Sequence, residues 1–139
     1  MWLLVPVSGG VANAGTWPTT HGKVTNGAIA ALKITGEGGH PTLERDWVSA
    51  DISSPATPLV VNGGVFAVPG GPEAGATSSA SVPAVLYAMN GTNGAALWNS
   101  GQTMTAALSG RSFWSATGQV YVGTTDGVVY AFGYPMERD

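Results

Sequence analysis

At 139 residues the chain is long enough for one domain with a hydrophobic core, and its 44% hydrophobic content excludes disorder by composition. The net charge of −3, with only five basic residues, argues against a nucleic-acid surface, because such a surface needs clustered Lys and Arg. The chain has no cysteine, which excludes disulfides, thiolate metal sites, c-type haem attachment and a thiol nucleophile.

The chain begins with a short apolar run, Trp2–Val5, that is followed by Pro6. The run is too short, and too poor in basic flanking residues, for a signal peptide or a membrane span. It is instead predicted to be a buried strand that ends at the proline.

The remaining chain alternates short apolar runs with Gly, Pro, Asn and Asp, a pattern typical of an all-β protein with tight turns. Its 21 glycines and 9 prolines supply many of these turns. Pro58 lies inside one run, which favours an edge or entry position for that strand. Ten strands and no helix are predicted, over residues 2–5, 28–34, 42–48, 55–61, 65–68, 85–89, 95–98, 111–115, 120–122 and 128–132.

The clearest hairpin lies at residues 86–98, where two Asn-Gly pairs separate apolar runs. Both residue types tolerate the positive φ that a tight turn needs. Partial copies of this hairpin recur along the chain, and Trp47 precedes Trp98 by 51 residues. A four-stranded propeller blade takes about 40–50 residues, so the spacing favours a β-propeller over the competing β-sandwich.

The repeat divides the single predicted domain into blade units of residues 1–51, 52–104 and 105–139. With the strands of a blade named A to D from the centre outwards, the first unit shows B, C and D. The second unit shows all four strands, and the third shows A, B and C. The predicted fold is therefore all-β, a partial β-propeller of about three four-stranded antiparallel blades, of which the first and last are incomplete.

The hairpin at residues 86–98 resembles the docking motif of the pyrroloquinoline-quinone (PQQ) repeat, the blade of quinoprotein-type β-propellers. That motif runs Ala-x-Asp-x-x-Thr-Gly-Lys-x-x-Trp, and Ala88, Gly94 and Trp98 stand at matching positions. The chain departs from the motif at three positions, which are Asn90, Asn93 and Ala95.

The other two units match the motif less completely. In the first unit Ala31 and Trp47 match, but Lys33 stands in place of Asp and extra residues separate the two ends. In the third unit Ala131 matches, and residues 120–127 fit the family's hairpin between strands B and C. The resemblance implies that an indole docks on the neighbouring blade where a small side chain leaves room. The implied docking residues are Ala31, Trp47, Ala88, Gly94, Trp98 and Ala131.

The resemblance also implies a protein with more blades than this sequence contains. The chain is expected to be the C-terminal part of a longer propeller, periplasmic or secreted, whose partners are the remaining blades. The alternative is a complete chain that pairs its open sheet edges with other protein chains, since bare edges invite association. Neither a nucleic-acid partner nor a membrane span is expected.

The two long insertions, residues 7–26 and 69–84, both join strand B to strand C and therefore lie on one face of a propeller. Long loops on one side of a rigid scaffold often bind ligands. Trp17 and His21 in the first insertion, together with Arg111 on an inner strand, are the candidate residues of a ligand face. The competing interpretation is a tolerated surface without a binding role.

No catalytic or metal-ligating motif is recognisable. His21 and His40 are the two histidines, and neither belongs to a metal-ligand spacing. A quinoprotein dehydrogenase needs carboxylate and amide ligands for calcium and an aspartate base, for which Asp51 and Asn62 are the nearest candidates. No cofactor is expected for this chain alone, although PQQ and calcium are compatible with a longer protein.

The sequence therefore favours a non-catalytic PQQ-repeat propeller segment that serves as a scaffold or binding module. The alternative is the C-terminal part of a PQQ-dependent dehydrogenase whose active-site residues lie upstream.

Overall fold

The computed structural model describes residues 2–10, 17–36, 38–70 and 82–133, in which the regular secondary structure is all β. Ten strands are present, and each overlaps one predicted segment, which confirms the all-β prediction. They are β1 (Trp2–Ser8), β2 (Gly27–Thr35), β3 (Thr42–Val48), β4 (Leu59–Val61), β5 (Gly64–Ala67), β6 (Tyr87–Asn90), β7 (Ala96–Asn99), β8 (Leu108–Ala116), β9 (Gln119–Thr124) and β10 (Val129–Phe132).

The strands form three antiparallel sheets, each built from strands that are consecutive in the chain. The first sheet contains β1 to β3, the second β4 to β7, and the third β8 to β10. Within the described ranges the first and third sheets therefore have three strands each, and the second has four. This is the pattern of a partial, propeller-like all-β fold.

Two hairpins close with two-residue turns that need positive φ at both positions. Asn62 and Gly63 join β4 to β5 with φ of 50° and 78°. Thr117 and Gly118 join β8 to β9 with φ of 50° and 75°. Positive φ at both central residues is the requirement of a type I′ turn, whose twist matches that of the flanking strands. These turns fix the register of both hairpins.

The first strand differs from its prediction. β1 continues through Pro6 to Ser8, and Trp2 and Leu3 are 44% and 41% exposed rather than buried. Among the described strands β1 pairs only with β2, so it lies at the edge of its sheet. An edge strand tolerates proline because N–H groups on its free side need no ladder partner. The edge position also explains the exposure of its first residues.

The fourth strand is shorter than predicted. β4 begins at Leu59, so Pro58 lies directly before the strand as an entry residue. Pro55, where the predicted strand began, instead forms an isolated bridge with Pro69. Because Pro55 and Pro58 have no N–H to donate, they prevent a regular ladder over the first part of the predicted segment.

Two hydrophobic clusters hold the three sheets in series. The cluster between the first and second sheets contains Ile29, Ala31, Trp47, Val65, Ala67 and Met89. The cluster between the second and third sheets contains Leu86, Leu108, Phe113, Val120 and Val122. The second sheet thus packs against one neighbour on each face, which differs from the two facing layers of a sandwich.

Candidate functional site

The side chain of Trp47 joins the first sheet to the second. Its pairing with Ala31 of β2 places both residues on the face that packs against the second sheet. The indole is fully buried, and its Nε1–H donates a 3.2 Å hydrogen bond to the carbonyl oxygen of Gly91. The ring also lies against Gly94, where a Cβ would come within 2.3 Å of Trp47 Cε3. The β6–β7 turn therefore holds the indole through two glycines.

Trp98 occupies the same place in the second sheet that Trp47 occupies in the first. Trp47 pairs with Ala31 and Trp98 pairs with Ala88, and both pairing registers shift directly after this pair. Each shift leaves one unpaired residue before the tryptophan, as in a β-bulge, which bends and twists the outer strand. The two hairpins therefore share both the pair and the irregularity beside it.

A buried serine lies two residues after Trp47 and another lies two residues after Trp98. The Oγ of Ser49 accepts a 2.9 Å hydrogen bond from the N–H of Ile29, and the Oγ of Ser100 accepts one of 2.9 Å from the N–H of Leu86. The N–H of each serine donates in return to the carbonyl oxygen of the same partner, again at 2.9 Å. Sequence reasoning missed these serines, although the shared Trp-x-Ser spacing carries the signal.

The surroundings of Trp98 differ from those of Trp47. Trp98 is 49% exposed and meets Phe132 of β10 edge-on, with ring centroids 5.9 Å apart and an interplanar angle of 61°. It lies beside a groove of about 710 Å³ between the second and third sheets. The apolar side chains along this groove include those of Phe66, Met89, Leu97, Trp98, Val120 and Phe132.

The three predicted docking alanines differ in burial. Ala31 and Ala88 are buried, each beside its paired tryptophan. Ala131 is exposed on the third sheet. The structure thus brings Ala31, Trp47 and Gly94 together between two sheets and leaves Ala131 on a free face.

The described part of the first insertion folds back along the first sheet. Thr19 forms a parallel bridge beside Trp47: its N–H donates to the carbonyl oxygen of Asp46 at 3.1 Å, and its own carbonyl accepts from Val48 at 3.0 Å. Trp17 packs on the cluster of Val24, Ala28, Ala30 and Val48, on the face opposite to Trp47. The buried Nε1–H of Trp17 has no acceptor among the described residues.

His21 reaches from the same insertion to the second sheet. Its Nε2 lies 2.7 Å from the carbonyl oxygen of Asn93 in the β6–β7 turn. A carbonyl oxygen can only accept, so Nε2 carries the proton in this contact. His21 and Trp47 therefore both contact the β6–β7 turn. The two candidate ligand residues of the insertion, Trp17 and His21, thus make contacts within the fold. Their predicted role in ligand binding stays a prediction.

Arg111 belongs to an irregular part of β8 on the third sheet. Leu108 opposes Thr124 and Phe113 opposes Val122, so β8 has extra residues between these two pairs. Gly110, with φ of 54°, allows the backbone to bulge there. The side chain of Arg111 lies outside the described part of the structure. Trp17 packs on the first sheet, His21 contacts a turn of the second and Arg111 lies on the third, so the candidate ligand residues are spread over three sheets.

The carboxylate of Asp51 braces the entry to β2. Its Oδ1 accepts hydrogen bonds from the backbone N–H groups of Thr25, Asn26 and Gly27 at 3.2, 2.9 and 3.2 Å. The bond from the backbone of Asn26 is the largest influence that holds the pKa of Asp51 below its ordinary value, against a smaller opposing effect of desolvation. Asp51 is thus a structural acceptor, while Asn62, the other candidate ligand, lies in the β4–β5 turn.

The remaining polar candidates form no larger cluster in the part of the chain that is described. No three His, Cys, Asp or Glu side chains lie together there. His40 is exposed in the connection between β2 and β3. No helix in the described ranges is long and apolar enough to cross a membrane.

Comparison with known proteins identifies no relative. No protein-family model, curated protein or solved structure matches the chain.

Proposed function

We propose that the chain is a segment of a PQQ-repeat-type β-propeller and serves as a non-catalytic scaffold or binding module. The observation that carries the proposal is the contact of Trp47 with the β6–β7 turn, through the hydrogen bond to Gly91 and the seat on Gly94. The turn that receives this indole belongs to the hairpin that resembles the family's docking motif.

The repeated geometry of the two hairpins supports the repeat assignment. The Ala–Trp pair, the register shift beside it and the serine two residues further on recur in the first and second sheets. One backbone arrangement that occurs twice with the same Ala, Trp and Ser side chains is what stacked copies of one unit produce. The periplasmic or secreted location belongs to the same proposal.

A scaffold role fits the chemistry of the polar side chains. The carboxylate of Asp51 accepts hydrogen bonds from three backbone N–H groups, and His21 contacts a backbone carbonyl. These groups order loops and connect sheets. The partners proposed are further blades of a longer propeller or other protein chains.

Addition of PQQ and calcium to the protein at its full natural length tests the proposal. We expect no quinone absorbance on the protein and no dye reduction with alcohols or sugars, with a known PQQ enzyme as the positive control. Stoichiometric quinone binding with substrate-dependent dye reduction would contradict the scaffold proposal. That result would establish the alternative, a dehydrogenase whose active-site residues lie outside this sequence.

A further inference from the structure

We propose that the outer face of the third sheet is an interface with a second copy of this chain, which it contacts through the free face of the partner's first sheet. The inference concerns assembly and goes beyond the proposed scaffold role, although both rest on the same sheet-to-sheet packing. We call the two surfaces the tail face, on the third sheet, and the head face, on the first.

The tail face is equivalent in register to the two faces on which the first and second sheets each pack against the following sheet. Leu4 pairs with Ala31, Phe66 with Ala88, and Tyr121 with Ala131. In the first two sheets these pairs lie on the side that packs against the following sheet. The residues two positions before the alanines show what covers each face, since Ile29 and Leu86 are 0% exposed whereas Val129 is 62% exposed.

The tail face has the chemistry of a buried surface. Trp114 and Tyr121 stack on it with ring centroids 5.3 Å apart and an interplanar angle of 13°, and Trp114 is 43% exposed. None of the described side chains on this face is charged, and the pairing register adds Ser112, Ala116, Gln119, Gly123, Val129 and Ala131 to it. A sheet face that meets water normally carries polar side chains, whereas exposed apolar patches mark interaction sites.

The head face corresponds in register to the surfaces on which the second and third sheets receive the preceding sheet, and the exposed Arg45 of β3 lies opposite Leu32 on it. The second sheet receives its neighbour with Val65, Ala67 and Met89, of which Val65 and Met89 form a cross-strand pair. The equivalent cross-strand pair in the third sheet is Val120 and Phe132. In the first sheet it is Leu3 and Leu32, with Val5 at the position of Ala67.

The head face is open at this end of the first sheet. Leu3 is 41% exposed, and Val5 and Leu32 are half-buried. Trp17 and Val24 cover the other end of the same face, at Ala28 and Ala30. The uncovered part is therefore the part that corresponds to the receiving residues of the second and third sheets.

Docking of tail on head continues the series of interfaces already present within one chain. The tail–head contact would repeat, in the same register, the packing of the first sheet on the second and of the second on the third. The interface is heterologous, so each copy keeps one free tail face and one free head face until a ring closes. A second copy supplies a complementary surface that is already folded.

Sedimentation or light scattering on the intact chain over a range of concentrations tests the inference, with two single variants. Val129→Asp places a charge on the tail face, and Leu3→Asp places one on the head face. Both side chains are partly exposed, so both variants should fold. Wild type is expected to associate as concentration rises, and each variant alone to remain a monomer. An equimolar mixture of the two should form a one-to-one complex, because one variant keeps its head face and the other its tail face.

Val60→Asp is the matched control, because Val60 is also 62% exposed but lies on β4, outside both faces. It should associate like wild type, and near-UV circular dichroism should show all variants folded. A wild-type chain that stays monomeric at every concentration would overturn the inference. So would self-association of Leu3→Asp while Val129→Asp is monomeric, which would indicate tail-to-tail contact, or association that survives both substitutions. None of these results depends on whether PQQ binds.

Discussion

Gly94 is the residue on which the contact between the first two sheets depends most directly. Its backbone has φ of 74°, and its α-carbon faces the indole of Trp47. Gly94→Ala should therefore destabilise the fold in two ways, through backbone strain of about 1 kcal/mol and through overpacking of about 1–3 kcal/mol. Urea denaturation of both proteins measures the total.

Gly127→Ala separates the two contributions. Gly127 has φ of 80°, but a Cβ there meets nothing within 4 Å, so its substitution should cost only the strain, about 1 kcal/mol. Equal losses from the two substitutions would show that the indole does not press on Gly94.

Asp51 gives the protein a pH dependence with a defined sign. Its folded-state pKa is lowered, chiefly by the backbone N–H of Asn26, so its contribution is present above the unfolded value of about 3.9 and is lost as pH falls through the folded value. Asp51→Asn should cost about 1 kcal/mol at neutral pH, a modest amount because the carboxylate is exposed.

Urea midpoints of wild type and Asp51→Asn, measured from neutral to acidic pH, check this expectation. The two curves should converge as the pH falls through the lowered pKa of the folded-state carboxylate, because the wild-type side chain becomes protonated there. Exposed Glu44→Gln serves as a control for the loss of one surface charge. A constant gap between wild type and Asp51→Asn at every pH would contradict the proposed role of the carboxylate.

The sequence allowed some of these residues to be predicted and not others. Trp47 and Gly94 could be named from the motif, because tryptophan and glycine are distinctive residue types and their spacing can be read directly from the sequence. The role of Asp51 could not, because its partners lie 24–26 residues away and are backbone groups that every residue possesses. Trp17 could be named as unusual but not placed, because the buried residues on which it packs, Val24 to Val48, lie later in the chain.

At the scale of the strands, the two serines bind the end of each outer strand to its neighbour. Ser49→Ala and Ser100→Ala each leave one buried N–H, of Ile29 or Leu86, without its acceptor, at a cost of about 1–3 kcal/mol. Because the two arrangements have the same geometry, the losses should be similar, and the double variant should show their sum.

Equilibrium unfolding of the two single variants and the double variant tests this equivalence. Ser53→Ala, a substitution of the same kind at a serine in the connection between β3 and β4, is the control. A large loss at one serine and none at the other would mean that the two hairpins are alike in outline but not in energy.

Strand existence was predictable and strand limits were less so. Apolar runs bounded by turn residues located all ten strands, because alternation and punctuation are local properties of the chain. The continuation of β1 through Pro6 and the late start of β4 depend on which edge of a strand meets a partner. That information belongs to the sheet and is absent from any single segment.

At the scale of the whole molecule, the sheets depend on their neighbours. Trp47→Leu should loosen the first sheet from the second while leaving the cluster between the second and third sheets intact. Hydrogen exchange should therefore accelerate in β1 to β3 more than in β8 to β10, because stability in stacked units is the sum of local and nearest-neighbour contributions.

Trp98→Leu is the matched control for this experiment. Its side chain is about half-exposed, so the same chemical change should accelerate exchange less. Uniform acceleration across all ten strands after Trp47→Leu would show instead that the chain unfolds as one cooperative unit.

The order of the sheets was predictable from the spacing of Trp47 and Trp98, but the free faces were not. The predicted repeat assigned the strands to sheets, since a unit of about 50 residues holds about four short strands. Whether Val129 is covered depends on what lies beside the third sheet. Only the structure shows that its register equivalents, Ile29 and Leu86, are buried while Val129 is open.

The bridge at Thr19 has a consequence for how foreign strands could attach to this protein. Unpaired backbone groups along a sheet rim act as a template for cross-β growth. Thr19 hydrogen-bonds to the N–H of Val48 and the carbonyl of Asp46, so at this point the edge of the first sheet already has a partner. The insertion therefore blocks the pairing of a foreign strand at the Asp46–Val48 end of β3.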